Sequence, residues 1–196
     1  MRIKFISALR AFIASRGGPA PISAKVFLMQ VVCGINKKVY WPVHWSSTVA
    51  NPENITIGMG TQPGLSPGCY IQGHGKINFG QCVLVAPNAG IISSNHSINN
   101  TMQSIKSHVE IADYCWIGFG AVILPGVSLG VHTVVAANAV VTSGIYEPYT
   151  LLAGNPAKVI KKINESDCVK WEPPTKMYGY LTESDYLLFQ KSRGGI

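Results

Sequence analysis

The sequence contains little charge, and that charge is unevenly distributed. Among 196 residues, 16 are Lys or Arg and 9 are Asp or Glu, so that 13% are charged, against about 25% in an ordinary soluble domain. Residues 1–52 include seven basic residues and no acidic one, and residues 114–146 include no charged residue at all. Because 47% of the residues are hydrophobic, the scarcity of charge excludes a disordered chain. Without heptads, it also excludes a coiled coil.

Long apolar runs and paired cysteines are also missing. A membrane-spanning helix needs about 20 nearly unbroken apolar residues, and Gly118, Gly120 and Pro125 interrupt the uncharged stretch. Arg10 lies inside the apolar part of the N-terminus, so we do not expect a signal peptide. The five cysteines show no CxxC spacing. Their odd, scattered number indicates reduced thiols in a cytoplasmic protein without a metal site.

The positive net charge belongs to the N-terminal quarter of the chain. From residue 53 onward nine basic and nine acidic residues cancel, which leaves the formal +7 to residues 1–52. These basic residues match no nucleic-acid-binding motif, so we expect no nucleic-acid partner.

The N-terminal segment has an apolar pattern that suits a helix over residues 1–15. Four aliphatic residues then share one stripe of that helix: Ile3, Ile6, Leu9 and Ile13. Arg10 at the edge of the stripe suits a surface on which its side chain can extend to water. We hypothesise a peripheral membrane contact through the N-terminus. The simpler alternative is a helix packed in a trimer.

A six-residue period dominates the middle of the chain. Aliphatic side chains recur at every sixth position: Ile111, Ile117, Ile123, Leu129, Val135 and Val141. Small or β-branched residues follow four positions later: Cys115, Ala121, Val127, Thr133 and Ala139. This period fits coils of three short strands, about 18 residues per coil, and predicts an all-β parallel β-helix. Pro67 and Gly73 replace the expected aliphatic residues, so the first coils should be irregular.

Three motifs carry a resemblance to a known family. They are residues 79–88 with 93–96, residues 109–127, and residues 152–160. In this order and spacing they resemble the left-handed β-helix (hexapeptide-repeat) acyltransferases, in the galactoside, maltose and xenobiotic O-acetyltransferase branch with its polysaccharide-modifying relatives. The resemblance implies a left-handed coil, acetyl-CoA as donor, and active sites between the subunits of a homotrimer. It implies an acceptor hydroxyl on a sugar or polysaccharide precursor.

The motifs and the repeat together divide the chain into four parts. Residues 1–53 form an N-terminal cap, and residues 54–146 form the β-helix catalytic domain. The period breaks at residues 93–108, which should protrude as a polar loop, and such insertions collect on the binding face of a solenoid. Residues 147–163 form a loop facing CoA and the final segment. Residues 164–196 form a short C-terminal appendage.

The resemblance assigns the catalytic roles to three positions. His96, in the protruding loop, is the general base that takes the proton of the acceptor hydroxyl, because histidine has a pKa near neutral pH. The backbone amide of Phe119 is the oxyanion donor for the tetrahedral intermediate. Asn88 matches the acceptor-site asparagine, and a turn residue at a coil corner is its alternative.

The donor side of the site is assigned in the same way. Trp116 should line the cleft against coenzyme A, and Ala137 should offer its backbone to the pantetheine arm. Thr142 is expected nearby. Lys158 and Lys161 follow the last motif and can face the CoA phosphates as point charges.

Three other functions remain open at this stage. An amino-sugar N-acetyltransferase is the nearest alternative. A γ-type carbonic anhydrase would need three histidines at one zinc ion, and the loop supplies only His96 and His108. A non-catalytic solenoid scaffold would keep its function after loss of His96.

Overall fold

The computed structural model describes residues 5–18, 20–173 and 176–192, and this part of the chain contains a solenoid with three flat faces. Face 1 consists of parallel strands Thr48–Ala50, Tyr70–Gln72, Gly90–Ile92, Val122–Ile123 and Val140–Val141. Face 2 consists of parallel strands Ile55–Thr56, Ile77–Phe79, Val109–Ile111, Val127–Leu129 and Gly144–Tyr146. Face 3 consists of strands Leu84–Val85, Trp116–Ile117, Val134–Val135, Thr150–Gly154 and Ala157–Lys162, of which the last is antiparallel. The predicted parallel β-helix is confirmed, and its left hand stays a prediction.

Each coil passes faces 1, 2 and 3 in turn and returns one level higher. Trp116 pairs with Val134, 18 residues further along the chain, which matches the predicted coil length. Neighbouring coils lie about 4.8 Å apart because they are joined as strands of one sheet. Residues one coil apart in sequence therefore stack in columns.

The six-residue positions form the core. At most 1% of each side chain is exposed at Ile111, Ile117, Ile123, Leu129, Val135 and Val141. The small residues four positions later are buried to the same degree at Cys115, Ala121, Val127, Thr133 and Ala139. An interior filled by these columns leaves no room for a charged side chain, which explains the uncharged stretch.

The first coil is irregular where the sequence predicts it. In the described part of the chain no strand of face 3 lies between Ile55–Thr56 and Tyr70–Gln72. The fully buried Trp41 instead covers this end, and its indole N–H donates to the Pro63 carbonyl at 2.7 Å. The strand Thr48–Ala50 pairs with Tyr70–Gln72, so the solenoid begins within the segment that the sequence assigns to the cap.

The N-terminal cap contains two short helices. Helix α1 spans Phe5–Ala14 and is followed by a 3-10 turn at Ser15–Gly17. Helix α2 spans Ala24–Phe27 and continues as a π-helical turn, Leu28–Val32, and a further 3-10 turn lies at Pro52–Asn54. The hydroxyl of Ser23 caps α2 by accepting from the Val26 amide at 3.2 Å. The predicted N-terminal helix is present over Phe5–Ala14, and Ile3 lies outside the described residues.

The C-terminal appendage packs on the cap of the same chain. After a 3-10 turn at Glu165–Asp167, strands Met177–Tyr178 and Leu181–Thr182 pair antiparallel and helix α3 spans Glu183–Ser192. The Tyr180 hydroxyl donates to Oε1 of Gln30 at 2.9 Å, and the Tyr180 amide donates to the Tyr40 carbonyl at 2.9 Å. Both ends of the chain therefore close the same end of the solenoid.

The polar segment 93–108 protrudes as a β-hairpin. Strands Ser94–His96 and Ser104–Lys106 pair antiparallel, and the Ser107 amide donates to the Ser93 carbonyl at 2.8 Å at the base. The hairpin leaves the solenoid at the corner between faces 1 and 2. The predicted protrusion is present, and its two strands were not predicted from the sequence.

Candidate active site

The corner between faces 3 and 1 brings together predicted site residues from successive coils. We call residues 87–88, 119–120 and 137–138 the stacked corner; they include Asn88, Phe119 and Ala137. The Gly120 amide donates to the Pro87 carbonyl at 3.0 Å, and the Asn138 amide donates to the Phe119 carbonyl at 2.8 Å. These hydrogen bonds hold the corner turns of successive coils in register along the axis of the solenoid.

The backbone amide of Phe119 is free at this corner. The Ala121 amide donates to the Gly118 carbonyl at 3.2 Å and Gly120 has a φ of +65°, which is the pattern of a type II turn with Phe119 at its second position. In the part of the chain that the structure describes, neither the Phe119 nor the Ala137 amide has a hydrogen-bond partner. Since Phe119 is half exposed, its N–H can serve an oxyanion.

Asn88 has a clear structural role in the stacked corner. Its φ of +60° is left-handed, a conformation that asparagine tolerates better than most residues. A Cβ atom on Gly68, one coil below, would collide with the Asn88 side-chain oxygen. Asn138 has the same relation to Gly120. The turn role is thus visible in the geometry, and the acceptor role stays a prediction.

Trp116 lies on face 3 with about half of its surface exposed. It stacks in register between Leu84 and Val134. Trp116 lines two cavities, one of about 530 Å³ and one of about 350 Å³. The larger cavity is lined in part by Gly60, Cys82, Tyr114, His132, Val169 and Trp171. Gly17 and Gly18 of the cap also line the larger cavity, so the cap and the C-terminal appendage both border the space beside Trp116.

An aromatic column beside this cavity was missed in the sequence. The rings of Tyr114 and His132 stack with centroids 4.8 Å apart, and those of His132 and Tyr149 with centroids 5.6 Å apart. The residues are 18 and 17 positions apart, about one coil each, and this spacing was the available signal. Within the described chain the buried Nε2 of His132 has no hydrogen-bond partner. Burial lowers the pKa of His132, and nearby Lys170 lowers it further, so the ring favours the neutral form.

His96 lies on the hairpin, far from the stacked corner of its own chain. Its side chain is exposed, opposite Ser104, and has no hydrogen-bond partner among residues 5–18, 20–173 and 176–192. The chain crosses face 1 between Asn88 and Ser93, about 16 Å at 3.3 Å per residue. One chain therefore does not place the His96 imidazole beside the Phe119 amide.

Thr142 is also separated from Ala137. It lies beyond strand Val140–Val141, at the end of face 1 from which the hairpin projects, and its carbonyl accepts from the Tyr146 hydroxyl at 2.9 Å. The predicted site residues thus form two groups within a chain. One group, His96 and Thr142, lies at the end of face 1 where the hairpin projects. The other group lies at the opposite end of face 1 and includes the stacked corner.

Lys158 and Lys161 lie at the far end of face 3. They are exposed on the final antiparallel strand, opposite Ala153 and Leu151. Three strand spacings, about 14 Å at 4.8 Å each, separate them from the strand of Trp116. Trp116 and the two lysines therefore line one face along the axis of the stack.

His108, the second histidine of the zinc alternative, is bound to a carboxylate. Its Nε2 lies 2.6 Å from Oε2 of Glu110, which also accepts from the Asn78 side-chain amide at 3.0 Å. The Thr56 hydroxyl donates to Oδ1 of Asn78 at 2.6 Å and completes a polar ladder on face 2. Among the described residues no group of three or more His, Cys, Asp or Glu side chains could hold a metal ion. The geometry gives the zinc alternative no support.

Known proteins similar in sequence to this chain include acetyltransferases. The chain is 43% identical over 96 residues to a putative acetyltransferase of Saccharomyces cerevisiae, covering 47% of this chain and 48% of the relative. It is 33% identical over 95 residues to the galactoside O-acetyltransferase of Escherichia coli, covering 46% of each. The chain spans about half the length of the curated relatives it matches. No family model matches it.

Comparison with solved structures shows the same fold. The chain resembles a maltose O-acetyltransferase of Clostridium difficile at 25% identity and a TM-score of 0.57, covering 82% of this chain and 88% of the other. It also resembles a hexapeptide-repeat acetyltransferase of Vibrio cholerae in complex with acetyl-CoA, at 22% identity and a TM-score of 0.51, covering 82% and 87%. These matches confirm the resemblance to hexapeptide-repeat acetyltransferases.

Proposed function

We propose that the protein transfers the acetyl group of acetyl-CoA to a hydroxyl of a sugar or polysaccharide precursor, at sites formed between the subunits of a homotrimer. The observation that carries the proposal is the Phe119 amide, which has no hydrogen-bond partner among the described residues and lies at an exposed corner on the coil of Trp116. An oxyanion needs such a fixed donor. The acetyltransferase relatives support the same reaction class.

The donor thioester would lie along face 3 and the stacked corner. Lys158 and Lys161 would meet the phosphates of CoA as point charges. The pantetheine arm would then follow the coils past Ala137, whose amide likewise has no hydrogen-bond partner in the described part of the chain. Trp116 would pack against the arm and direct the acetyl carbonyl oxygen to the Phe119 amide.

His96 would act as the general base. Its imidazole takes the proton of the acceptor hydroxyl while the hydroxyl oxygen bonds to the acetyl carbonyl carbon. The tetrahedral oxyanion accepts a hydrogen bond from the Phe119 amide. When the carbon–sulfur bond breaks, the imidazolium returns the proton to the CoA thiolate, and the products are an acetyl ester and free CoA. Asn88, with its side-chain amide at the same corner, would orient the acceptor.

A neighbouring subunit would unite the two groups of site residues. On the hairpin, Ile98 is exposed by 97% and Met102 by 91%; Trp116 on face 3 and Phe119 at the adjoining stacked corner are each exposed by about half. Seating the hairpin of one subunit on face 3 of the next would bury both apolar surfaces. The same contact would bring His96 and Thr142 of one subunit to the stacked corner of the other.

The cysteines support a cytoplasmic location. All five lie within the described residues and none forms a disulfide, as is usual for proteins of a reducing compartment. In that compartment the acceptor would be an intracellular sugar or a precursor of a polysaccharide.

The test is release of the CoA thiol from acetyl-CoA, measured with a panel of sugars, oligosaccharides and amino sugars. We expect turnover with a sugar hydroxyl, and a roughly 10²–10⁴-fold lower kcat in His96→Ala. The matched control is Asn95→Ala, because Asn95 precedes His96 on the same strand and points to its opposite side. Retention of full activity by His96→Ala would exclude the assigned base, and transfer only to amino sugars would replace O-acetylation by N-acetylation.

A further inference from the structure

Helix α1 faces its large apolar side chains outward. Ala8 and Ala11 are the buried residues of the helix, at 0% and 4% exposure, whereas Ile6 and Ile13 are exposed by 67% and 61%. A surface helix of a globular protein normally turns its large apolar residues to the core. The stripe that the sequence singled out therefore has no partner within the described chain.

The orientation of α1 is fixed by close packing. Its two alanines pack with Ile22, Val26 and Tyr180 in a buried cluster, and such small side chains allow the helix to approach closely. The Ser15 hydroxyl, just after the helix, donates to the Phe12 carbonyl at 2.8 Å and accepts from the Ile22 amide at 3.0 Å. The outward face is therefore part of the folded cap.

The exposed apolar surface continues onto the neighbouring segment. The Phe27 ring contacts the rings of Phe5 and Phe12, with centroids 5.9 and 5.3 Å apart, and joins α2 to α1. Leu28 and Val32, which follow Phe27, are also half exposed or more. We call this surface the N-terminal patch; it comprises Phe5, Ile6, Leu9, Ile13, Leu28 and Val32.

Basic residues of the cap lie beside the patch. Residues 1–52 contain seven basic residues and no acidic one. The Arg16 guanidinium lies over the Phe12 ring at 5.2 Å, and the Lys25 ammonium lies over the Trp45 ring at 4.3 Å. Arg10 is exposed on α1 itself. This combination of apolar side chains with peripheral cations complements an apolar layer under an anionic surface.

Two other occupants fit these features less well. A second copy docked about a twofold axis would bring the same patch of both copies together, and with it two sets of the cap's cations. In the proposed trimer the subunits meet instead through the hairpin and face 3. A helix that spans the bilayer does not fit, because within the described residues no helix is long and apolar enough to cross a membrane. A helix that lies parallel to the bilayer surface, at the boundary between headgroups and acyl chains, agrees with both the basic residues of the cap and the short length of α1.

We propose that the N-terminal patch binds the surface of an anionic lipid bilayer, with α1 lying in the interfacial plane. Ile6, Leu9 and Ile13 enter the boundary between headgroups and acyl chains. Arg10, Arg16 and Lys25 contact the lipid phosphates. The binding requires no acetyl transfer, so its failure would leave the proposed reaction untouched.

The test is flotation of the intact protein with vesicles of phosphatidylcholine, with and without phosphatidylglycerol. We expect at least about tenfold stronger binding to the anionic vesicles, declining with salt. The single changes Ile6→Glu and Ile13→Glu should each weaken that binding by about tenfold or more, because they place a carboxylate in the apolar stripe. Both side chains are exposed, so thermal unfolding should be unchanged.

The matched control lies on α3, which has the same length as α1. Leu188 on α3 is exposed by 66%, and the first turn of that helix contains Glu183 and Asp185. Leu188→Glu should bind vesicles as the unchanged protein does. Equal binding to both vesicle types, or unchanged binding by Ile13→Glu, would overturn the proposal. A smaller assembly in light scattering for Ile13→Glu, with no flotation of the unchanged protein, would assign the patch to a second copy.

Discussion

The coils of the solenoid bury their apolar side chains, whereas the hairpin that interrupts the coils exposes them. At the six-residue positions from Ile111 to Val141 at most 1% of each side chain is exposed, because every coil covers the next. On the hairpin Ile98 and Met102 are almost fully exposed, and Ile105 is half exposed. The coils complete their packing within the chain, whereas the apolar side chains of the hairpin stay exposed within the described residues.

This difference in exposure suggests that the coils stabilise the fold and that the hairpin serves the reaction. A column such as Val85, Ile117, Val135 and Leu152 contributes buried surface and no reactive group. The hairpin contributes the imidazole of His96 and little buried surface. Changes in the coils should therefore lower the free energy of unfolding, and changes in the hairpin should lower turnover or assembly.

The largest expected effect is on the core of a coil. Ile117→Ala should lower the free energy of unfolding by about 2–5 kcal/mol, because it leaves a cavity between stacked coils. Met102→Ala on the hairpin should shift the unfolding midpoint only as far as it weakens assembly, so its shift should depend on protein concentration. Denaturant unfolding at several concentrations measures both. Equal, concentration-independent losses would mean that the hairpin belongs to the core.

The next largest effect is a loss of turnover at the stacked corner, where a turn of the solenoid supplies the proposed oxyanion donor. Phe119→Pro should reduce kcat roughly 10²–10³-fold, because it removes the proposed oxyanion donor. Proline suits the second position of a type II turn, and Pro87 already occupies this place one coil below, so the fold should persist. Phe119→Ala keeps the amide and is the matched control. If the two variants turned over equally, the oxyanion donor would lie elsewhere.

The smallest expected effect is a difference in the rate of thiol modification between the solenoid and the cap. Burial raises the pKa of Cys82 to about 11 and that of Cys115 to about 12, while Cys33 on the cap is exposed. Near pH 8 iodoacetamide should modify Cys33 first, because the thiolate is the reactive form. Mass spectrometry of the native protein follows the order, and fast labelling of Cys115 would contradict the packing.

The same two thiols imply a pH dependence of stability. Their raised pKa values favour the neutral thiol in the folded state, so this contribution is present below the unfolded value of about 8.5. It is lost as the pH rises toward 11 for Cys82. Unfolding free energies measured across this range should fall with pH, and Cys82→Ala should reduce the slope.

The sequence predicts the coils well because each aliphatic residue has the same neighbours one coil away. The irregular first coil was predictable for the same reason, since Pro67 and Gly73 break the period. The strands of the hairpin were not, because Ser, Asn and His have no strong strand preference. For α1, the period showed which residues share a stripe, but only the packing of Ala8 and Ala11 shows which side faces water.

The candidate site was predictable only in part. Motif resemblance identified Trp116, Phe119 and Ala137, which the structure places on one side of the solenoid. The same motifs could not show that His96 and Thr142 lie across face 1 from them, because a linear motif does not state how far apart the fold places its residues. The column of Tyr114, His132 and Tyr149 needed the coil length as well as the period.

The central claim is that one copy supplies His96 and the next copy supplies the Phe119 amide. Chains with His96→Ala and chains with Phe119→Pro, each inactive alone, can be co-expressed with different tags and purified as mixed assemblies. In every trimer that contains both chains, one of the three sites then combines an intact hairpin with an intact corner. The account predicts recovery of acetyl transfer in that proportion. Mixed assemblies that contain both chains and remain inactive would contradict it, because every site within a single chain would keep one lesion.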